Sequence, residues 1–191
     1  MSHIHTICLL IEGRVQGVGF RPFVCRAAKK AGLTGWVKNL GGLVEIRASG
    51  EREALFALEK SLQEAPYPIE VEGITKEELP LERFPDFSAV ESSGAPLAPL
   101  FPADIAICPS CRRELHERKD RHFRYPFLSC TACGPRYTII QSLPYDRPRT
   151  TMDKFPLCPE CEREYEDLKD RRCHGETICC SACGPRLSFI S

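Results

Sequence analysis

The sequence has no excess charge of either sign. Lys plus Arg and Asp plus Glu each number 26 in 191 residues. The balance holds locally: residues 1–103 carry 11 basic and 13 acidic side chains, and residues 104–191 carry 15 and 13. Net charge therefore gives no sign of a polyanion or an anionic membrane as partner. A secretory signal is also missing, because Met1-Ser2-His3-Ile4-His5 has no basic region and leads straight into a short strand-like run. No apolar run approaches the roughly 20 residues of a membrane helix. Disulfides are not expected from a chain of this kind, although it holds 12 cysteines; without a signal and with CxxC spacing, metal binding in a reducing cytoplasm is the expectation. Hydrophobic content of 42% and charged content of 27% are ordinary for a soluble globular protein of one or two domains.

One stretch organises the first half. Gly13-Arg14-Val15-Gln16-Gly17-Val18-Gly19-Phe20-Arg21-Pro22 separates an apolar run ending at Ile11 from a helical pattern beginning at Phe20. Glycines let backbone N–H groups turn inward. A helix N-terminus adds partial positive charge, and Arg21 adds a planar, two-pronged cation. Together these make a cradle for a phosphate or carboxylate. The plainer readings are a tight turn and a structural ion pair at Arg21.

The flanking pattern predicts Thr6 to Arg14 as a central strand buried on both faces, then a helix to Ala31 stopped by Gly32. Gly35 to Leu40 and Leu43 to Ser49 read as a hairpin turned by Gly41-Gly42. Ala54, Leu55, Leu58 and Leu62 mark a second amphipathic helix, broken by Pro66-Tyr67-Pro68. Ile69 to Thr75 and Phe84 to Val90 complete the pattern as strands. The order βαββαβ plus one strand predicts an α+β, ferredoxin-like fold with two helices on one face of an antiparallel sheet. Cys8 and Cys25 read as small buried residues rather than nucleophiles, and Trp36 as a core aromatic.

The stretch from Gly13 to Arg21 and the run Gly35-Trp36-Val37-Lys38-Asn39 together resemble the two signatures of the acylphosphatase family. The resemblance implies that Arg21 binds the phosphate of an acyl phosphate and Asn39 positions the attacking water. It implies that backbone N–H groups of Gln16, Gly17, Val18, Gly19 and Phe20 complete the phosphate site. Elementary chemistry agrees, since an activated acyl phosphate needs charge stabilisation and an oriented water more than a strong base. A departure from the family pattern lies at the hairpin, where only two residues separate Asn39 from Gly42.

Residues 92–103 are rich in Pro and small residues and read as a linker between domains spanning 1–91 and 104–191. The second domain repeats itself at a period of 50. Cys108-Pro109-Ser110-Cys111 matches Cys158-Pro159-Glu160-Cys161, and Cys130-Thr131-Ala132-Cys133-Gly134-Pro135-Arg136 matches Cys180-Ser181-Ala182-Cys183-Gly184-Pro185-Arg186. Each repeat (104–137 and 154–187) is a C-x2-C-x18-C-x2-C unit, the spacing of a four-thiolate zinc site. Two structural zinc ions are expected. Sequential pairing places Cys108, Cys111, Cys130 and Cys133 on one ion and Cys158, Cys161, Cys180 and Cys183 on the other; crossed pairing uses the same eight ligands. A domain with few large apolar side chains needs such staples. Cys173 and Cys179 are surplus. His174 reads as a polar surface residue, with a place near the metal as the alternative; His116 and His122 have weaker claims on metal.

The two halves together resemble the N-terminal region of the HypF family of hydrogenase-maturation carbamoyltransferases, including Asp104, Arg124 to Phe127, Pro144 to Pro148 and Asp170 to Arg172. The resemblance implies hydrolysis of carbamoyl phosphate as the first step of carbamoyl transfer to the C-terminal cysteine of a HypE-type protein. The later adenylation and transfer domains are not in this sequence, so it reads as a piece of a longer protein. The alternative is a non-catalytic scaffold, an inert anion-binding cradle with fingers gripping a protein or nucleic acid. The near-neutral finger half argues against nucleic acid.

Overall fold

The computed structural model describes residues 4–40, 42–91 and 102–190. Most of the predicted linker, residues 92–101, and Gly41 of the hairpin lie outside the described residues. The first half folds as β1 (Ile4–Arg14), α1 (Phe20–Lys30), β2 (Thr34–Leu40), β3 (Leu43–Glu51), α2 (Arg52–Gln63), β4 (Glu70–Leu79) and β5 (Phe87–Ala89). The sheet order is β4-β1-β3-β2-β5. This is the ferredoxin-like arrangement that the order of elements predicts. One detail differs from the expected all-antiparallel sheet: β5 pairs with β2 in parallel. The segment after β4 crosses the sheet to reach the far edge.

The core explains why these segments settle as they do. Ile7, Leu9 and Ile11 of β1 and Val44, Ile46 and Ala48 of β3 present one alternating face to α1 and α2. Val24, Cys25 and Ala28 from α1 and Leu55, Leu58 and Leu62 from α2 close over them. The expectation of a β1 buried on both faces is half right. Its position is central, but Cys8 and Leu10 on the opposite face are only half-buried. That face is polar: Glu45 pairs with Lys38 and Arg47, and the Cys8 thiol donates to Glu45. Trp36 lies there too, with Lys38 Nζ 4.7 Å and Arg47 Cζ 5.4 Å from its ring centre, rather than in the core. The short Asn39–Gly42 spacing does no damage to the hairpin. Asn39 pairs with Val44 and Leu40 with Leu43, leaving a two-residue connection.

The second half contains two short helices, α3 (Pro109–His116) and α4 (Pro159–Glu166), each starting one residue after the first cysteine of its repeat. Proline at the first helical position suits that start. The rest is turns and two short 3-10 segments. Its buried clusters consist largely of cysteines with a few apolar residues such as Leu128, Ile139 and Ile178.

The halves dock against each other around α1. Arg26 Nη1 donates to the Leu168 carbonyl at 2.9 Å, and Ile105 and Leu168 pack onto the first core. Gly19 marks how close the contact is. A Cβ there would fall 2.7 Å from Thr131 Oγ1, and Thr131 is held by Arg171 through both its N–H and its hydroxyl. Gly32 has nearly the same backbone, with φ of 72° against 75°, yet a Cβ at Gly32 meets nothing within 4 Å. Gly32→Ala should cost roughly 1–2 kcal/mol for the left-handed backbone alone. Gly19→Ala should cost a further 1–3 kcal/mol, roughly, from the clash. Urea unfolding of both variants measures the difference, and equal losses would mean that the halves do not meet at this point.

Candidate functional site

The cradle forms where β1 ends and α1 begins. Gly17 and Gly19 both have positive φ, 67° and 75°, which a side-chain-bearing residue resists. No side chain caps the start of α1, so its first N–H groups remain open to an anion. The Gly17 carbonyl is taken by Arg136 of the finger half, whose Nε donates at 2.8 Å. Arg136 is 1% exposed, and it also donates to the carbonyls of Thr131 and Gly134. One arginine of the Cys-Gly-Pro-Arg motif thus binds the finger turn to the glycine loop.

Arg21 projects from the first turn of α1 into a narrow cavity of about 10 Å³, room for about one water. Gln16, Gly17, Arg21 and Asn39 line it from the first half, and Tyr145, His174 and Glu176 from the second. The predicted residues Gly19 and Phe20 also border it. Val18 does not, because its side chain belongs to the core and only its backbone is available to the loop. Asn39 reaches the cavity from β2 and is 2% exposed. Two acceptors on this lining are buried without a hydrogen-bond partner among the described residues, Asn39 Oδ1 and Gln16 Oε1. For Gln16 the amide orientation is fixed, since its Nε2 donates to the Leu43 carbonyl.

The ion-pair reading of Arg21 and the anion-site reading both have a place in this geometry. Arg21 Nη2 lies 2.7 Å from Asp146 Oδ1 and 2.9 Å from Glu176 Oε1. Both contacts use one nitrogen. Nη1 and Nε make no hydrogen bond with a described residue, so the carboxylates orient the guanidinium by one corner and leave its other donors open. Burial alone would lower the Arg21 pKa, but Glu176 and Asp146 outweigh it and hold the cation firmly charged.

Glu176 is the most constrained acid of the site, with a side chain 2% exposed. Its Oε2 accepts from the Arg147 N–H at 2.9 Å and the Tyr165 hydroxyl at 3.1 Å. Burial pushes its pKa up to about 7, against the downward pull of Arg21. His174 beside it is pushed down to about 4 by burial and by Arg21, so it is a neutral imidazole at pH 7. The expectation of a polar surface role for His174 is therefore wrong. Its ring packs 5.2 Å from that of Tyr165 and lines the cavity, on a backbone with φ of 51°.

The thiols of the second half fall into two groups, Cys108/Cys111/Cys130/Cys133 and Cys158/Cys161/Cys180/Cys183, the sequential pairing. Sulfur–sulfur distances run from 3.5 Å (Cys111–Cys133) to 3.8 Å (Cys108–Cys130), and the second group matches with 3.6 Å (Cys161–Cys183) and 3.7 Å (Cys158–Cys180). A tetrahedron with zinc–sulfur bonds of 2.3 Å has edges of about 3.8 Å, so the donor set fits zinc in number, chemistry and span. The surplus Cys173 and Cys179 are buried outside both groups; the Cys179 sulfur accepts from the Tyr125 hydroxyl.

A reciprocal clamp joins the two groups. Arg121 of the first repeat donates to Glu164 and to the Cys161 sulfur of the second. Arg171, fifty residues later, donates to Glu114 and to the Cys111 sulfur of the first. Guanidinium donors beside thiolates offset the net negative charge of a four-thiolate zinc site. Glu114 also takes Arg172, and together these arginines hold its carboxyl below the usual range despite burial.

The residues that sequence reasoning missed are Arg136, Tyr145, Asp146, Tyr165 and Glu176. A usable signal was present for some of them. Tyr165, His174 and Glu176 stand where the first repeat has Leu115, Arg124 and Pro126. The two repeats keep the same backbone there, with Arg124 N bonded to Leu115 O and His174 N to Tyr165 O, both at 2.9 Å. The second repeat has changed its side chains where it faces the cavity.

Comparison with known proteins agrees with both halves. The acylphosphatase family pattern matches residues 7–89, and the HypF finger pattern matches residues 107–140 and 157–190. An acylphosphatase from Pseudomonas paraeruginosa is 44% identical over 84 residues, covering 42% of this chain and 92% of that protein. The carbamoyltransferase HypF of Synechocystis sp. is 46% identical over 154 residues, 80% of this chain and 20% of that protein. A crystal structure of full-length HypF in the phosphate- and nucleotide-bound form superposes with a TM-score of 0.96 at 40% identity, covering 100% of this chain and 25% of that one. The chain thus spans about a fifth to a quarter of the HypF proteins it matches. Through residues 7–89 the chain belongs to the acylphosphatase family, and with its paired fingers it is the N-terminal region of a HypF-family protein.

Proposed function

We propose that this region hydrolyses an acyl phosphate, carbamoyl phosphate in the first instance, at the cradle between β1 and α1. One observation carries the reading. Arg21 and Asn39, picked out by two separate motifs, line one cavity together with the glycine loop. The loop amides of residues 16–20 and the free edge of Arg21 take the phosphate oxygens. Asn39 Oδ1, a buried acceptor without a partner, orients a water. Hydrolysis adds that water, breaks the bond between phosphate and the acyl carboxylate oxygen, and releases phosphate and carbamate. A phosphate oxygen accepts the water's proton, so no general base is needed. The cavity as it stands has room for about one water, so a bound substrate must widen it.

The division into a domain at 1–91 and another at 104–191 is part of the same proposal. The eight cysteines of the two groups would hold two zinc ions, whose chemistry there is a closed tetrahedral cross-link with no open position for substrate. In the whole HypF-type protein, carbamate would pass onward to carbamoylation of a HypE-type protein in the cytoplasm. The second reading is a scaffold, because Arg21 is already engaged by two carboxylates and the cavity is narrow.

Arg21→Ala should lower phosphate release from carbamoyl phosphate by about 10²–10³-fold, the loss that follows removal of one transition-state donor. Metal analysis should still find two zinc ions per chain. Unchanged release would leave only the scaffold reading. Asn39→Ala should cost turnover on a similar scale while leaving the inhibition constant for inorganic phosphate nearly unchanged.

The Glu176 pKa of about 7 gives a pH signature. Its folded value lies above its ordinary 4.5, so folding takes up a proton between those values and the group's contribution to stability is lost as pH rises through 7. A dianion placed beside Arg21 adds negative charge near Glu176 and favours its protonation further. Affinity for sulfate, dianionic throughout, should therefore fall as pH rises through 7. The Glu176→Gln variant should show a flatter profile in titration calorimetry.

A further inference from the structure

We infer that the finger half reads the acyl group, and that Glu176 is the residue that distinguishes a carbamoyl group from an acetyl group. The inference rests on the acyl phosphate reading and adds a specificity determinant that the acylphosphatase half does not contain.

A phosphate held by the loop amides and the open donors of Arg21 occupies the first-half side of the cavity. The acyl group then lies against what remains, Asn39 from β2 and Tyr145, His174 and Glu176 from the finger half. Glu176 supplies an acceptor on that wall. Glu176 Oε2 already takes two hydrogen bonds, from Arg147 N–H and the Tyr165 hydroxyl, but Oε1 takes one, from Arg21. A carboxylate oxygen has two lone-pair directions, so Oε1 keeps one in reserve. Gln16 Oε1 is a second buried acceptor with no partner among the described residues, and its amide cannot flip without losing the bond to Leu43.

Such a lining matches a group that brings N–H donors. The carbamoyl amino group brings two, in the plane of the acyl unit. The acetyl methyl has the same size and brings none. It would leave the second lone pair of Glu176 Oε1 unpaired and press apolar surface against that carboxyl group. A site built to accept hydrogen bonds discriminates strongly against an isostere that lacks them. The repeat comparison supports the assignment, since a glutamate stands here in place of the first repeat's Pro126 on otherwise matching backbone.

The test uses two stable phosphonates that differ only at this point, phosphonoacetamide with an amino group and acetonylphosphonate with a methyl group. Titration calorimetry on the wild-type zinc-loaded chain should show phosphonoacetamide binding roughly ten- to a hundredfold more tightly, the range expected when a buried acceptor is paired rather than left unsatisfied. Glu176→Gln turns a donor amide toward Arg21 and the acyl group, so the ratio should collapse toward one even where both affinities drop. Matching ratios of kcat/KM for carbamoyl and acetyl phosphate should follow the same pattern. Equal wild-type affinities would overturn the inference, as would an unchanged ratio in a Glu176→Gln chain that keeps its zinc content. If the wild type binds neither phosphonate and inorganic phosphate gives no binding heat either, the acyl phosphate reading itself fails.

Discussion

The guanidinium of Arg21 ties the two halves of the structure together. It belongs to α1, but its charge is balanced from the finger half by Asp146 and Glu176. Burying an ion pair costs each charge its hydration, and the attraction recovers that cost only when geometry and extra hydrogen bonds are good. The extra bonds are present. Glu176 is held from behind by Arg147 and Tyr165, and Arg147 is itself fixed by the carbonyls of Glu176, Ile178 and Phe155. The result is a carboxylate that does not have to follow its partner. Because its pKa lies near 7, Glu176 has an inexpensive response to the loss of Arg21 or the arrival of an anion: it takes up a proton. A buried acid with an ordinary pKa would resist both.

The same constraint accounts for the glycines of the loop. Positive φ explains why Gly17 and Gly19 are glycine in any isolated cradle. Here the finger half adds a second reason, since a Cβ at Gly17 would sit 3.1 Å from the Tyr145 ring and one at Gly19 would meet Thr131. The loop is therefore shaped from both sides, by its own backbone and by a surface that arrives more than a hundred residues later in the chain. Arg136 completes this by holding the Gly17 carbonyl. Its counterpart Arg186 is exposed, so the repeat is symmetric in its metal groups and asymmetric in what it docks against.

How much of this was legible in the sequence follows from the range of each interaction. The order of strands and helices along the chain and the eight thiol ligands came from local periodicity and spacing, which residues such as Ile7, Leu9, Ile11 and the CxxC pairs carry in themselves, whereas spacing alone left the grouping of the thiols open between sequential and crossed pairing. That Arg21 and Asn39 would meet at one cavity was legible because their motifs are compact. Asp146 and Glu176 were not, because a buried carboxylate looks like a surface one until its partner is known. The polar face of β1 escaped for a related reason. Cys8 and Leu10 are apolar by type, but the charges that share their face, Glu45, Lys38 and Arg47, come from neighbouring strands. His174 was misread because its left-handed backbone and its contact with Tyr165 depend on a turn shared with Arg124.

That shared turn suggests how the finger pair relates to the site. Two copies of one four-cysteine unit are joined, each reaching across to the other's cysteines through Arg121 and Arg171. A clamp of this form keeps the pair rigid without a large apolar core, which residues 102–190 do not have. Rigidity in turn frees one face of the second copy from structural duty. Leu115, Arg124 and Pro126 suit a turn that supports only itself; at the matching positions His174 and Glu176 face the cavity on the same backbone, and Tyr165 holds Glu176 from behind. The metal groups hold the position, and the substituted face supplies the chemistry. A loop without the thiolate tetrads could carry the same three side chains, but it would have to meet the entropy cost of ordering them against a cavity with room for about one water.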